Sequence, residues 1–508
     1  MSSKVLSAAV LGLECELVEV EADTSMALPG IAIVGLPDKA VDESRERVRS
    51  AIKNSGLAVP RTKVTINLAP ADLKKAGPVY DLPIAISILL TTKQLKLKEG
   101  FDQQLFIGEL ALDGGLRSVN GVLSICLAAK KKNISTIYLP QANAAEASLV
   151  TGLKIFPCQN LKQLIEHLSS RAIIEPAQFS VADFSAAESL PSVYDLAYVR
   201  GQTQAKRALE IAAAGGHNLL MSGPPGSGKT MLAKAMTTIL PKMTMAESLE
   251  VTKIYSVAGA LSARQPLITV RPVRMPHHTA SGVALVGGGA WPKPGEISLA
   301  HRGVLFLDEF PEFPRSVLEN LRQPLEDGII SVSRVSGTLQ FPAKFILVAA
   351  MNPCPCGYLT DPDRACTCSP SQVIKYQKKI SGPLLDRIDL HVEVPKVKID
   401  RLIEDNLAEK SELIRQRVAQ ARIIQQQRFK DSDILTNAEM SSRQTKEFCA
   451  VEPKTITLLS QAVNRLGLSA RSYFRVLKLA RTIADLAGTE NIKLEHVAEA
   501  LQYRPKVE

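Results

Sequence analysis

One segment, Gly223-Pro-Pro-Gly-Ser-Gly228-Lys229-Thr230, constrains this chain more than any other. It is entered from the apolar run "HNLLMS" and left by the helical pattern "KTMLAKAMTTIL". Strand, glycine-rich turn and helix in that order are the setting in which G-x-x-x-x-G-K-T works as a phosphate loop rather than an ordinary turn. Its glycines let backbone N–H groups face a phosphate, and the positive end of the helix dipole adds to them. Gly223, Pro224, Pro225, Gly226, Ser227 and Gly228 are therefore the expected cradle for ATP. Lys229 is expected at the β- and γ-phosphates, and the Thr230 hydroxyl on Mg²⁺.

The chain around this loop alternates strand and helix up to about Val394, as a parallel sheet with crossover helices does. In "RGVLFLDEFPEF" the apolar strand ends in Asp308-Glu309. Two carboxylates at a buried strand end are costly unless a cation sits there, or unless the end is solvated. Asp308 is expected in the Mg²⁺ shell, with Glu309 orienting the attacking water. The strand "AKFILVAAMNPCPCG" delivers Asn352, which resembles the γ-phosphate sensor of AAA+ ATPases. "LLDRIDL" offers Arg387, either an arginine finger for a neighbouring subunit's nucleotide or a local partner of Asp386 or Asp389. In "LSARSYFRVLKLARTIADLAG", Arg471, Arg475, Lys478 and Arg481 share one helix face. Arg471 is the candidate lid arginine on phosphate; the others read as a solvated or nucleic-acid-facing stripe.

At 508 residues the chain is too long for a single core, and its pattern divides into four parts. Residues 1–170 read as mixed α/β, with "KVTINLAP" and "STIYLP" as strands and "PDKAVDESRERVRSAIKNSG" as a helix stopping at Gly56. Residues 171–192 read as a linker, 193–394 as the ATPase core and 395–508 as a helical lid opening on one long run, "RLIEDNLAEKSELIRQRVAQARIIQQQRF". The N-terminus begins like a signal peptide, but Glu14 and Glu16 follow its short apolar run and no basic cluster precedes it. Without a spanning helix or a secreted disulfide framework, the cytoplasm is the expected compartment and no membrane partner is expected.

Cys354-Pro-Cys356 and Cys366-Thr-Cys368 flank "GYLTDPDRA". Two thiolate pairs joined by a Gly/Pro-rich loop suit a tetrahedral Zn²⁺ site, against which stand free thiols and redox chemistry. The net charge of +10 permits a polyanionic partner, so the loops between the ATPase motifs matter. "RMPHHTASGVALVGGGAWPKPGE" is too long and glycine-rich for a simple connection, and carries Arg274, His277, His278 and Lys293 toward phosphates. Adjacent histidines rarely chelate one ion. "GIISVSRVSGTLQFPAKF" reads as a hairpin with Arg334 at its tip, a DNA contact or a plain exposed arginine.

The strings "GLPDKAVDESRERVRSAI", "VRGQTQAKRALEIAAAGGHNLLMSGPPGSGKT", "PKPGEISLAHRGVLFLDEFPEF" and "AAMNPCPCG" resemble the magnesium-chelatase-like AAA+ ATPases over nearly the whole length. The resemblance implies an α/β chain with a Lon-protease-like (ribosomal protein S5 domain 2-like) N-terminal domain, a P-loop core and a helical lid. It implies a homo-hexameric helicase acting on single-stranded and branched DNA. Such a helicase drives branch migration beside recombination proteins in natural transformation. Lon-like proteases carry a serine in a G-P-S segment and a lysine on a later helix. Val79 and Ile125 stand at those places here, and neither side chain can attack a carbonyl or move a proton. A peptidase-dead scaffold is expected. A protein-remodelling chaperone of the magnesium-chelatase type is the competing reading.

Overall fold

Ser3–Leu11 pairs antiparallel with Glu14–Ser25 across the two-residue turn Gly12-Leu13. Gly12 takes the left-handed φ of +62° that so short a turn requires. The opening that resembles a signal peptide is thus half of a hairpin. Val18, Val20 and Ala22 alternate inward with Glu19 and Glu21 less buried, giving the second strand one core face. The computed structural model describes residues 2–96, 101–178, 194–262, 264–289, 292–334, 337–397, 408–465 and 469–504.

The hairpin is the middle of a seven-stranded sheet, ordered Gly30–Val34, Lys63–Ala69, Glu14–Ser25, Ser3–Leu11, Gln104–Phe106, Thr136–Pro140, Lys154–Cys158. The helix Lys39–Asn54 starts where Asp38 accepts from the Val41 N–H at 2.9 Å. Just past its end Gly56 lies at φ +79°. It buries Val41, Ser44, Val48, Ala51 and Ile52 as one stripe. Beneath it the helix Asp81–Thr91 is buried on all sides. Asp81 accepts from Arg47 Nε at 2.7 Å and Nη2 at 3.0 Å, from the Leu110 N–H at 3.1 Å and from the Ser44 hydroxyl. Burial pushes the Asp81 carboxyl above its ordinary range, and Arg47 and Ser44 pull it back. Val79 and Ile125 both pack into one apolar cluster.

The first eight residues of the expected linker lie on this unit. Ile174 is buried and donates its N–H to His167 Nδ1 at 2.9 Å, and the Ala177 N–H donates to the Ile155 carbonyl at 2.8 Å. The remainder of that stretch, residues 179–192, falls outside the described residues.

The second sheet has five strands, all parallel, in the order Val273–Arg274, Val304–Leu307, Ile346–Met351, Leu219–Ser222, Leu390–Glu393. The first strand in sequence lies between the fourth and the fifth. A parallel sheet opens a crevice at the carboxyl ends of its strands where the order reverses, and the phosphate loop leaves Ser222 there. Ile329–Arg334 and Gly337–Pro342 form the expected antiparallel hairpin.

Of the long C-terminal run the described helix is Ser411–Arg428; residues 398–407 fall outside the description and 408–410 are not helical. Ile414, Val418 and Ala421 join one apolar core that reaches from Leu196 through the sheet to Tyr503. The N-terminal unit docks on the helix Met245–Ala258 of the core. There the Gly121 N–H donates to the Ser256 carbonyl at 3.1 Å, the Ser256 hydroxyl binds buried Glu146, and Lys253 pairs with Glu14 at 3.0 Å. Among the described residues no helix is long and apolar enough to cross a membrane.

Candidate functional site

The loop closes tightly on its surroundings. A Cβ on Gly223 would lie 2.2 Å from the Val394 carbonyl oxygen, so only glycine fits, and Gly226 and Gly228 take φ of +74° and +88°. Lys229, at the start of the helix Lys229–Ile239, is buried. Its Nζ donates to the carbonyls of Gly223 (2.7 Å) and Pro224 (2.8 Å) and lies 3.3 Å from Asn352 Oδ1. Burial lowers its pKa, and Asp308 opposes that. The Thr230 hydroxyl donates to Asp308 Oδ2 at 2.7 Å across 78 residues of chain. Two hard oxygen donors, a buried ammonium and a cradle that a Cβ would fill suit Mg²⁺ and a triphosphate. Glu309 follows in left-handed backbone (φ +51°, ψ +44°), a costly position for a non-glycine residue.

Arg387 and Arg471 are elsewhere. Arg387 precedes the strand Leu390–Glu393, its carbonyl accepting from Asn218 Nδ2 at 3.3 Å beside the start of the phosphate-loop strand. The four residues Leu219–Ser222 therefore separate it from Gly223, roughly 13 Å of extended chain. Its guanidinium binds Glu326 and the Pro383 carbonyl (2.7 Å), and Arg471 Nη2 meets the same Glu326 at 3.0 Å. Arg387 holds the Glu326 carboxyl below its ordinary range. Asp386 and Asp389 are not its partners: Asp389 is taken by Arg475 at 2.8 Å. Arg471, expected as the lid arginine on phosphate, is carried by the helix Ala470–Leu486 to the amino-terminal edge of the sheet, away from its own chain's phosphate loop. The solvated stripe is corrected too. Arg475, Lys478 and Arg481 turn inward, onto Asp389, the Ala438 carbonyl (3.0 Å) and Asp485 (3.0 Å).

The four cysteines converge. Cys354 Sγ lies 3.4 Å from Cys356 Sγ and 3.7 Å from Cys366 Sγ, and all four sulfurs fall within 4.8 Å of one another with no disulfide. Four thiolates around tetrahedral Zn²⁺ would sit about 3.8 Å apart, so this cluster is able to hold a metal ion. The backbone N–H groups of Tyr358 and then Thr367 hold the Cys356 thiol down to about 5.

Three family models for magnesium chelatase match this chain: subunit ChlI of Mg-chelatase over residues 20–143, magnesium chelatase subunit ChlI over 195–402, and the ChlI C-terminal region over 408–504. Competence protein ComM of Haemophilus influenzae is 46% identical over 505 residues, covering 99% of this chain and 97% of its own. This chain belongs to the magnesium-chelatase-like AAA+ family. The uncharacterized protein YifB of Escherichia coli is 44% identical over 99% of this chain and 97% of its own. The magnesium-chelatase 38 kDa subunit of Rhodobacter capsulatus is 25% identical over 62% of this chain and 87% of its own.

Within this magnesium-chelatase-like chain the loops expected to meet DNA divide. Arg274 is spent on Glu296, Nε at 2.5 Å and Nη2 at 2.7 Å, so a free phosphate contact is corrected to an internal ion pair. His278 faces the nucleotide site instead, its Nδ1 2.9 Å from Glu309 Oε2. The His277 ring lies tilted against it, centroids 4.1 Å apart, and its Nδ1 is 2.9 Å from Thr279 Oγ1. Lys293 stays exposed, in the ribbon pairing Gly287–Gly288 with Lys293–Pro294. Arg334 ends its strand as expected, but its side chain falls outside the described residues.

Two features escaped the sequence reading. Gln202 lies over the phosphate loop, its Nε2 donating to the Ser227 carbonyl; the signal was present in "VRGQTQ" without a residue type that names its role. A groove between Phe313 and the helix Pro370–Gln377 gathers Arg315, Lys375, Lys378 and Lys379, which "IKYQKKI" announced only as scattered charge.

Proposed function

We propose that this chain is an ATP-hydrolysing DNA motor that works as a homo-hexameric ring. In this reading it drives branch migration on single-stranded and branched DNA during recombination in natural transformation. One observation carries the ring: Arg387 and Arg471 sit at the opposite edge of the sheet from their own phosphate loop. A head-to-tail neighbour would bring that edge to the next subunit's nucleotide, where a finger arginine contributes about 10³–10⁵ in rate. In the site itself Lys229 and the loop N–H groups would grip the β- and γ-phosphates, and Thr230 and Asp308 would hold Mg²⁺. That ion would neutralise charge across the β- and γ-oxygens. Glu309 would orient the attacking water, and Asn352 would register the γ-phosphate.

For the substrate, support comes from the name of the H. influenzae relative, a competence protein, and from the chain's basic character. Lys293 and the groove of Lys375, Lys378 and Lys379 are among the exposed cations beside the ATPase motifs, with Lys379 also paired to Glu312 at 3.0 Å. The R. capsulatus relative, named for magnesium chelatase, keeps protein remodelling as the second reading. ATP turnover with and without single-stranded DNA separates the two. Stimulation by DNA is expected, weakening steeply as salt rises because phosphate contacts release counterions. Lys229→Ala should lose nucleotide binding, and Glu309→Gln should bind ATP without turning it over. Turnover indifferent to every DNA structure, three-stranded junctions included, would replace the DNA motor with the remodelling reading.

A further inference from the structure

The cysteine cluster is built onto the nucleotide site. Cys354 comes two residues after Asn352, and the segment Asn352-Pro-Cys-Pro-Cys356-Gly357 has two prolines whose fixed φ stiffens the connection. Gly357 turns back at φ +85°, its N–H donating to the Cys354 carbonyl at 3.0 Å. A Cβ placed there would lie 2.7 Å from both Cδ and Cγ of Pro225, inside the phosphate loop, and 3.8 Å from Asn352 Cγ. The far side of the cluster is tied down as well. Ser369 caps the helix Pro370–Gln377, whose last residue donates its Nε2 to the Pro353 carbonyl at 3.3 Å. Lys396 reaches Asp363 at 3.1 Å, on the loop between the two cysteine pairs.

From this geometry we infer that the four thiolates hold a Zn²⁺ ion, and that its presence sets how tightly the phosphate loop binds ATP. Without the ion the two cysteine pairs would be joined only by weak contacts such as the Cys356 N–H on Cys368 Sγ at 3.4 Å, and the packing of Gly357 against Pro225 would loosen. With it, the turn buttresses the loop from behind and holds Asn352 within reach of Lys229. Two sites joined in this way are coupled reciprocally, with factors that typically run from about 5 to 150. Zinc should therefore tighten ATP, and ATP should tighten zinc by the same factor.

The inference rests on the ATP-binding reading, and the experiment keeps the two apart. Metal content of the purified protein should be one zinc per chain. Affinity for a slowly hydrolysed fluorescent ATP analogue should fall at least about fivefold in Cys366→Ser/Cys368→Ser, which should carry no zinc. Gly357→Ala keeps every ligand; it should retain zinc and still weaken the analogue, since its new methyl group meets Pro225. Should the cysteine variant fold poorly, the wild-type protein suffices. A chelator titration should then need more chelator in the presence of the analogue. Protein that binds the analogue but carries no zinc removes the metal site. Zinc lost with unchanged analogue affinity removes the coupling. Wild-type protein that holds zinc and binds no nucleotide removes the ATP reading, and the coupling with it.

Discussion

Asp81 is a carboxylate with no solvent, and Arg47 is what makes that tolerable. Its fork reaches both carboxylate oxygens, and Ser44 and the Leu110 N–H take the remaining lone pairs. Removing one member of such a pair leaves an uncompensated buried charge, which typically costs about 3–5 kcal/mol. Arg47→Ala is expected to lose stability on that order in urea denaturation, and Arg47→Ala/Asp81→Leu to recover much of it. A single-variant loss below about 1 kcal/mol would mean the pair does not hold the two helices together. Residues of this kind were the least legible in the sequence. Lys229, Thr230 and Asp308 could be named in advance because each sits in a short local string whose chemistry is complete in itself. The partners of Arg274, Arg387 and Arg475 could not, because Glu296, Glu326 and Asp389 become neighbours only once separate segments fold against one another. Charge on one helix face suggests a solvated or nucleic-acid-facing stripe, since periodicity reports which residues share a face and not what covers it.

Elements were easier to foresee than their surroundings. The helix Lys39–Asn54 and the strands Lys63–Ala69 and Thr136–Pro140 follow from apolar period and end signals. The helix Met245–Ala258 starts on a capping box, Thr244 with Glu247, and its role as the floor under both units has no such signature. Glu250 on that helix shows how it is held. Its carboxylate lies 3.3 Å from His301 Nε2 and 2.9 Å from Arg302 Nε, and these partners, His301 first, bring its pKa from 4.5 down to about 2. A carboxyl with a depressed folded-state pKa adds stability that is complete above the unfolded value and is lost as pH falls toward the folded one. Glu250 should thus contribute above about pH 4.5 and lose that contribution between there and about pH 2. The group is half exposed, so the effect is modest. Thermal melts of Glu250→Gln should show a smaller drop between pH 5 and pH 3 than the wild type, judged against the usual carboxylate range. An identical drop would mean the cluster does not hold the helix to the carboxylate strand.

For the molecule as a whole, the arrangement of edges matters more than any one site. The hairpin Ile329–Pro342 leans back on the N-terminal unit, where Leu339 lies against the Gly12 turn and shares a cluster with Leu13. The N-terminal unit thus touches both the middle of that hairpin, where Leu339 pairs with Val332, and the floor helix. The C-terminal helices share the core of the sheet rather than forming a satellite, so the guanidinium edge is carried rigidly with respect to the chain's own phosphate loop. A rigid protomer with its phosphate cradle on one edge and its arginines on the other should hydrolyse ATP only in partnership. Arg387→Ala should bind ATP normally and lose turnover by about 10³-fold or more, while Lys229→Ala should not bind it. Mixed at equal amounts, the two inactive proteins should regain activity. A Lys229→Ala subunit still offers its arginine, and an Arg387→Ala neighbour still offers its loop. Random assembly would place such a productive junction at roughly a quarter of the interfaces in a head-to-tail ring. Steady-state ATPase rates of the mixture against each protein alone decide the matter. A mixture no faster than its components would make Arg387 a partner of Glu326 within its own chain and remove the shared site.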